Sequence, residues 1–252
     1  MDTSLHITAY PLLSQIPSPV LDMLSYIEDA GFEAWIVGGF VRDALRNVKP
    51  HDADIATNAH WQDVKQIALD HDCTVYETGT KHGTITVVHN DYPLEITTYR
   101  SDSEYSDHRH PNAVTFVSSI TQDLARRDFT INAMAFHPIR GLVDPYDGQD
   151  DLHHHIIRCV GNPRQRFQED ALRILRALRF ASQLSFSIAI DTENALFEKA
   201  ATLSHVAGER LSVELEKLLC GKDARRVLLT YTEILSVMIP QLQVMKGFDQ
   251  HS

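Results

Sequence analysis

The feature that most limits how this chain can fold is a change of texture near residue 150. Before it, short apolar runs alternate with stretches of helical spacing; after it, helical spacing takes over. Pro19 to Ala30 sets Val20, Leu21, Leu24 and Ile27 at helical intervals and meets a stop at Gly31. Ala34 to Val37 reads as a buried strand running into a Gly38-Gly39 turn, with a short helix from Val41 to Asn47. Ala53 to Ala56 reads as a strand and Trp61 to Leu69 as a helix. Thr84 to His89 and Leu94 to Tyr99 read as a hairpin joined by Asn90-Asp91-Tyr92-Pro93. Ser101 to Asn112 is polar and reads as a mobile loop, followed by a short strand at Val114 to Val117. Gln168 to Ser182, Thr192 to Leu203, Glu209 to Leu219 and Ala224 to Ile239 read as helices. The expected fold class is α+β: a head of mixed β-sheet and helices over residues 1–150, then an all-helical region over 151–252.

The 252 residues, 43% of them apolar, suffice for one large domain or two small ones. No apolar run approaches the roughly eighteen residues of a membrane span, so no membrane association is expected. Met1 to Tyr10 has neither a basic start nor an apolar segment, which makes the cytoplasm the expected compartment. Cys73, Cys159 and Cys220 are scattered and odd in number, so three reduced thiols and no disulfide-linked partner are expected. A net charge of −11 excludes a surface coated for nonspecific nucleic-acid binding, but leaves room for a local basic patch.

The segment His51-Asp52-Ala53-Asp54-Ile55-Ala56-Thr57 carries the chemistry. Alternate residues of a strand point to one face, about 7 Å apart, so Asp52 and Asp54 converge. Two hard carboxylates suit Mg²⁺, which takes oxygen ligands and shares them with phosphates. Two-metal phosphoryl transfer calls for a third acid. Glu95, on the strand Leu94-Glu95-Ile96-Thr97-Thr98-Tyr99-Arg100, is the candidate. Alone, such a pair is an ordinary solvated surface; its neighbours give it weight.

Gly38-Gly39-Phe40-Val41-Arg42-Asp43 follows a strand and opens a helix. Glycines there let a ligand approach the backbone, and Arg42 offers a planar fork for phosphate. No G-x-x-x-x-G-K-[ST] occurs, so this is not a Walker loop. His153-His154-His155 lacks the spacing of a metal site and reads as three polar side chains at the surface.

Seven segments stand in one order: GGFVRD at 38–43, DAD at 52–54, TGTKHGTITVV at 78–88, LEITTYR at 94–100, RRDFTINAMA at 126–135, DPYDGQDDL at 144–152 and EDALRILRALRF at 169–180. Together they resemble the CCA-adding enzymes and bacterial poly(A) polymerases of the polymerase-β-like nucleotidyltransferase superfamily, over about residues 20 to 220. The resemblance implies a catalytic nucleotidyltransferase head over 1–150 and a nucleotide-selecting helical neck over 151–252, with the start of a truncated or absent body domain. It implies that Asp52 and Asp54 hold Mg²⁺, with Glu95 as the third carboxylate, and that Gly38, Gly39 and Arg42 seat the triphosphate. Arg127 would contact the nucleotide, and Asp170, Arg173, Arg176 and Arg179 would line the base pocket.

The pocket has a physical logic. Asp170, Arg173 and Arg176 recur every three residues along a helix. Adenine and cytosine each offer an amino donor beside a ring-nitrogen acceptor, which Asp170 and Arg173 can match. Guanine and uracil reverse that pattern and would leave buried groups unpaired. The expected activity is template-independent addition of CMP and AMP, from CTP and ATP, to the 3′ end of tRNA, with pyrophosphate released. The rivals are a poly(A) polymerase, an enzyme that adds only A, and a non-catalytic nucleotide- or RNA-binding regulator on the same fold. The Ser101 to Asn112 loop would be the element that helps such enzymes switch from C to A. Glu209-Arg210 resembles a segment that braces the pocket helices. CCA-adding enzymes continue into helical regions that grip tRNA, whereas this chain stops at Ser252, so weak tRNA affinity is expected of it alone.

Overall fold

The computed structural model describes residues 12–50, 52–102 and 114–245. They divide into two compact units, one ending at Leu152 and the other beginning at His153. Most of the expected Ser101 to Asn112 loop lies outside the described residues.

The first unit is built on a seven-stranded mixed sheet. Helix α1 (Ser18–Asp29) starts at a proline and buries Pro19, Val20, Met23, Leu24 and Ile27, one face of a 3.6-residue repeat. Strand β1 (Ala34–Val37) is buried at all four positions, as befits a strand with neighbours on both edges and cover on both faces. Helix α2 (Gly39–Leu45), strand β2 (Ala53–Thr57) and helix α3 (Trp61–Asp70) follow, then the meander β3 (Thr74–Gly79), β4 (Thr84–His89) and β5 (Tyr92–Thr98). A small ladder pairs β6 (Arg100–Asp102) with β7 (Val114–Phe116). Helix α4 (Ile120–Ala125), strands β8 (Ala135–His137) and β9 (Gly141–Val143), and helix α5 (Gly148–His153) complete the sequence of elements. The strand order is β3-β4-β5-β2-β1-β8-β9. Only β2 and β5 run parallel within it, and α3 with β3 and β4 supplies the crossover that a parallel pair needs.

The hairpin differs from expectation. Its turn is Asn90-Asp91 alone, both with positive φ (49° and 58°), and Tyr92 and Pro93 belong to β5. Two left-handed residues match the twist of the flanking strands better than a four-residue loop would.

The second unit is helical apart from a two-residue parallel ladder between β10 (Ile156–Ile157) and β11 (Ser187–Ile188). Its helices are α6 (Pro163–Glu169), α7 (Leu172–Leu184), α8 (Ile190–Lys199), α9 (Gly208–Leu219), α10 (Ala224–Thr230), α11 (Thr232–Leu235) and α12 (Gln241–Met245). Two expected helices are interrupted. Gln168 to Ser182 breaks at Asp170, and Ala224 to Ile239 breaks at Tyr231. The buried Tyr231 donates its hydroxyl to Glu193 Oε1 (2.6 Å), so packing fixes a residue that helical periodicity treats as continuous. Cys73 and Cys159 are buried and Cys220 is exposed; all three are free thiols.

Candidate active site

Strand register brings the acids together. Asp54 of β2 is flanked by Val37 of β1 and by Glu95 of β5. Directly paired residues present their side chains on the same face, so the Asp54 and Glu95 carboxylates share one side of the sheet. Asp52 lies just before β2, two residues from Asp54 and therefore of the same parity. The effect is electrostatic: the Asp54 carboxyl is pushed up to about 6, by burial first and then by Glu95, with Arg127 opposing and Asp52 adding to the rise. Burial, and then the charges of Asp52 and Asp54, also raise the Tyr92 phenol. Among the described residues, however, no three or more His, Cys, Asp or Glu side chains stand close enough to enclose a metal ion.

Beside the acids the backbone turns at Gly38, where φ is +70° and ψ is −131°. A β-carbon there would lie 3.1 Å from Arg127 Nη1 and 3.7 Å from Asp54 Oδ2. The glycine is thus needed twice, for its backbone angles and for the space between carboxylate and guanidinium. Gly39 opens α2, and a β-carbon on it would lie 3.6 Å from Arg42 Nη2. Arg42 is already held: Nε and Nη2 donate to the two Asp43 oxygens (2.9 and 2.7 Å), and Nη1 donates to Asn132 Oδ1 (2.8 Å).

Arg127 donates through Nη2 to Asp123 Oδ2 (3.2 Å). The fully buried Asp123 also accepts from Arg126 Nε (2.9 Å) and from the Arg100 backbone N–H (3.2 Å). Burial alone would raise its pKa; Arg126 and Arg127, with those hydrogen bonds, overcome that and hold the carboxyl below the usual range. Asn132 in turn donates to Asp128 Oδ1 (3.3 Å). The segment 144–152 clamps this region. Asp144 accepts the Gly148 and Gln149 N–H groups, and Thr130 donates to Asp151 Oδ2 (2.7 Å). A β-carbon on Gly148 would come within 2.4 Å of the Thr130 carbonyl oxygen, which explains the glycine of that segment.

Asp43, Asp128, Asn132 and Asp151 lie inside the seven sequence segments, yet sequence reading gave them no role. Asp123 lies outside those segments. Its signal was the three- and four-residue spacing to Arg126 and Arg127, the separation at which helix neighbours meet.

In the second unit the geometry corrects the reading of Asp170, Arg173 and Arg176 along one helix. Asp170 is not on the helix: its backbone is extended (φ −142°, ψ 106°), and Oδ1 accepts the Leu172 N–H (3.1 Å). Short acidic side chains compete in this way with helical hydrogen bonding. Asp170 Oδ2 accepts from Arg210 Nη2 (2.9 Å), so Arg210 braces it across the α6–α7 break. The buried Arg173 donates to Glu169 Oε2 (2.7 Å) and to the Arg166 carbonyl (3.3 Å). Arg179 Nε approaches Glu214 Oε2 to 2.6 Å, as an ion pair rather than along a hydrogen-bond axis. Arg176 Nη1 lies 3.6 Å from the same carboxylate, and the Arg179 guanidinium stacks 4.0 Å above Phe180. Glu214 is another member that the sequence did not single out. Of the histidine triplet, His153 and His154 meet edge to face and His155 packs on Phe186.

Comparison with known proteins agrees with this architecture. A family described as the poly A polymerase head domain matches residues 34–158, and one described as a probable RNA and SrmB-binding site of polymerase A matches 185–245. The CCA-adding enzyme of Pediococcus pentosaceus is 48% identical over 204 residues, 81% of this chain and 50% of that protein. That of a Geobacillus species is 45% identical over 224 residues, 88% of this chain and 54% of that protein. The chain spans about half the length of the curated relatives it matches. The crystal structure of the Bacillus stearothermophilus CCA-adding enzyme in complex with CTP matches with a TM-score of 0.79 at 40% identity, covering 88% of this chain and 52% of that one. The Thermotoga maritima CCA-adding enzyme complexed with tRNA matches with a TM-score of 0.76 at 26% identity, covering 93% and 56%. With a family model on the head, relatives 45–48% identical over most of the chain and a solved structure that matches at a TM-score of 0.79, the chain belongs to the family of poly(A) polymerases and CCA-adding nucleotidyltransferases.

Proposed function

We propose that this chain adds CMP and AMP, from CTP and ATP, to the 3′ end of tRNA without a template. The observation that carries the reading is the pairing of Asp54 with Glu95 across β2 and β5, beside the Gly38 turn and Arg127. Relatives named as CCA-adding enzymes, including structures with CTP and with tRNA, support the substrate assignment.

Enzymes of this family work with divalent metals, and Mg²⁺ is the ion we assign. The residue chemistry suits it: Asp52, Asp54 and Glu95 carry only oxygen donors, and the Asp54 carboxyl is raised by burial first and then by the charges of Glu95 and Asp52, a rise that a cation would relieve. When bound, Mg²⁺ would activate the attacking hydroxyl and neutralise charge on the phosphates. Gly38 and Gly39 let the triphosphate approach the backbone, and Arg42 and Arg127 hold it. The RNA 3′ oxygen attacks the α-phosphorus in line; the new O–P bond forms as the bond to pyrophosphate breaks. In the second unit, taken as the selecting neck, Asp170, Arg173, Arg176 and Arg179 choose the base, with Arg210 and Glu214 keeping them in position. No helix among the described residues is long and apolar enough to cross a membrane, and we assign the chain to the cytoplasm.

The test is incubation of tRNA lacking CCA with each nucleotide singly and in pairs, followed by 3′-end sequencing. Two C residues then one A, with GTP and UTP refused, is the expected product. A long A tail identifies a poly(A) polymerase instead, a reading that the name of the head-domain family favours. Nucleotide binding with no extension in Mg²⁺ identifies a regulator.

A further inference from the structure

We infer that Asp123 is a positioning residue for nucleotide binding: it pins the Arg127 guanidinium beside Gly38 and Asp54 before any nucleotide arrives, and ties that arginine to the strand leading into residues 103–113. The inference rests on the proposed function, in which Arg127 meets the nucleotide.

Three observations carry it. First, Asp123 is buried, and a buried carboxylate is costly unless several donors repay it. Its donors come from separate places: Arg126 and Arg127 just beyond α4, and the backbone of Arg100, the first residue of β6. A purely local helix-end pair would need only the first two. Second, Arg127 is divided between two duties. Nη2 is bound to Asp123, while Nη1 faces the space that Gly38 leaves open beside Asp54. Third, Arg127 Nε is buried with no hydrogen-bond partner among the described residues. With Nε closed to solvent, an arriving phosphate or base oxygen would meet Nη1. A guanidinium anchored at Nη2 loses less freedom on meeting that acceptor than one that swings freely.

The test uses the whole chain and Mg²⁺ with CTP as the probe. Calorimetric Kd and, with tRNA lacking CCA, KM and kcat are measured for the parent, Asp123→Asn, Arg127→Ala and the double variant. Asp123→Asn should weaken CTP by about tenfold in Kd and KM, the worth of one charge-assisted hydrogen bond, with kcat close to the parent. In the Arg127→Ala background the same substitution should have little further effect, because its route is already gone. A merely structural role would show the same loss in both backgrounds, and that result overturns the inference. So does an unchanged Kd in Asp123→Asn when Arg127→Ala is weakened. An unchanged Kd in Arg127→Ala instead removes the assignment of Arg127 on which the inference stands, and a parent that does not bind CTP removes the proposed function itself. If Asp123→Asn fails to fold, Asp123→Glu decides: it keeps the charge but displaces it by one methylene. Weakened CTP binding with intact kcat supports the inference, and parental affinity overturns it.

Discussion

The two polar clusters of this molecule are organised in opposite ways. In the first unit, Asp52, Asp54 and Glu95 repel one another, and Arg127 is the one basic group that opposes the rise of the Asp54 carboxyl. In the second unit the acids and bases are paired at rest: Glu169 with Arg166 and Arg173, Asp170 with Arg210, and Glu214 with Arg176 and Arg179. The first cluster is short of positive charge, which a cation carrying a polyphosphate can supply. In the second every acid already has a basic partner, so it acts by shape and by the direction of its hydrogen bonds, with five arginines set against three acids. Removing a charge from the first should therefore damage chemistry and spare the fold. Removing one from the second should damage the fold and blur recognition.

The largest expected effect is at Asp54. Asp54→Ala should lower transfer by about a thousandfold while the melting temperature holds or rises, because a repelling charge leaves. Single-turnover extension assays beside thermal unfolding check both halves; near-parental transfer breaks the comparison. Gly38→Ala comes next. A β-carbon at φ +70° and ψ −131° costs about 1–3 kcal/mol of backbone strain and meets Arg127 Nη1 at 3.1 Å. Transfer should fall by about a hundredfold, with loss of CTP affinity in an equilibrium titration.

Mg²⁺ itself sharpens the contrast. At about a hundred times its Kd, it should stabilise the parent by roughly 2–3 kcal/mol, read as a rise in melting temperature. Asp54→Ala should lose most of that rise, and Glu214→Gln should keep it. Glu214→Gln should instead cost about 2 kcal/mol of stability, since Arg176 and Arg179 lose their shared partner in a mostly buried setting. It should also relax discrimination against GTP and UTP, measured as the ratio of kcat/KM values.

What the sequence made legible follows the same division. Strands β1 and β2 and helices α1, α3 and α9 announced themselves because each is long enough, or apolar enough, to display its period. Strands β8 to β11 did not, since two or three residues cannot show an alternation. The parity of Asp52 and Asp54 was readable within one strand; the partnership of Asp54 with Glu95 needed the sheet, because register between distant strands is set by packing. Asp170 looked like a helix residue by spacing alone. Its extended backbone ends α6, and its side chain accepts the N–H of Leu172, the first residue of α7, a tie that periodicity does not encode. Asp123 was hidden for the same reason: its short-range spacing to two arginines was visible, but its link to Arg100 is tertiary.

The smallest expected effect is the pH dependence that Asp123 gives the first unit. Its folded carboxyl is held below the usual carboxylate range, while in the unfolded chain it returns to about 4. A depressed folded pKa contributes stability that is fully present above the unfolded value and is lost as pH falls through the folded one. The parent should therefore lose stability progressively below about pH 4. Asp123→Asn has no proton to take up at this position, so its acid limb should be flatter even though it is less stable near neutrality. Urea midpoints collected from pH 7 down to about pH 3 would display this as two curves that converge on acidification. Parallel curves would mean that the arginines do not hold this carboxylate in its charged form, and the contrast between a charge-deficient and a charge-paired cluster would then have to exclude the Asp123 hub.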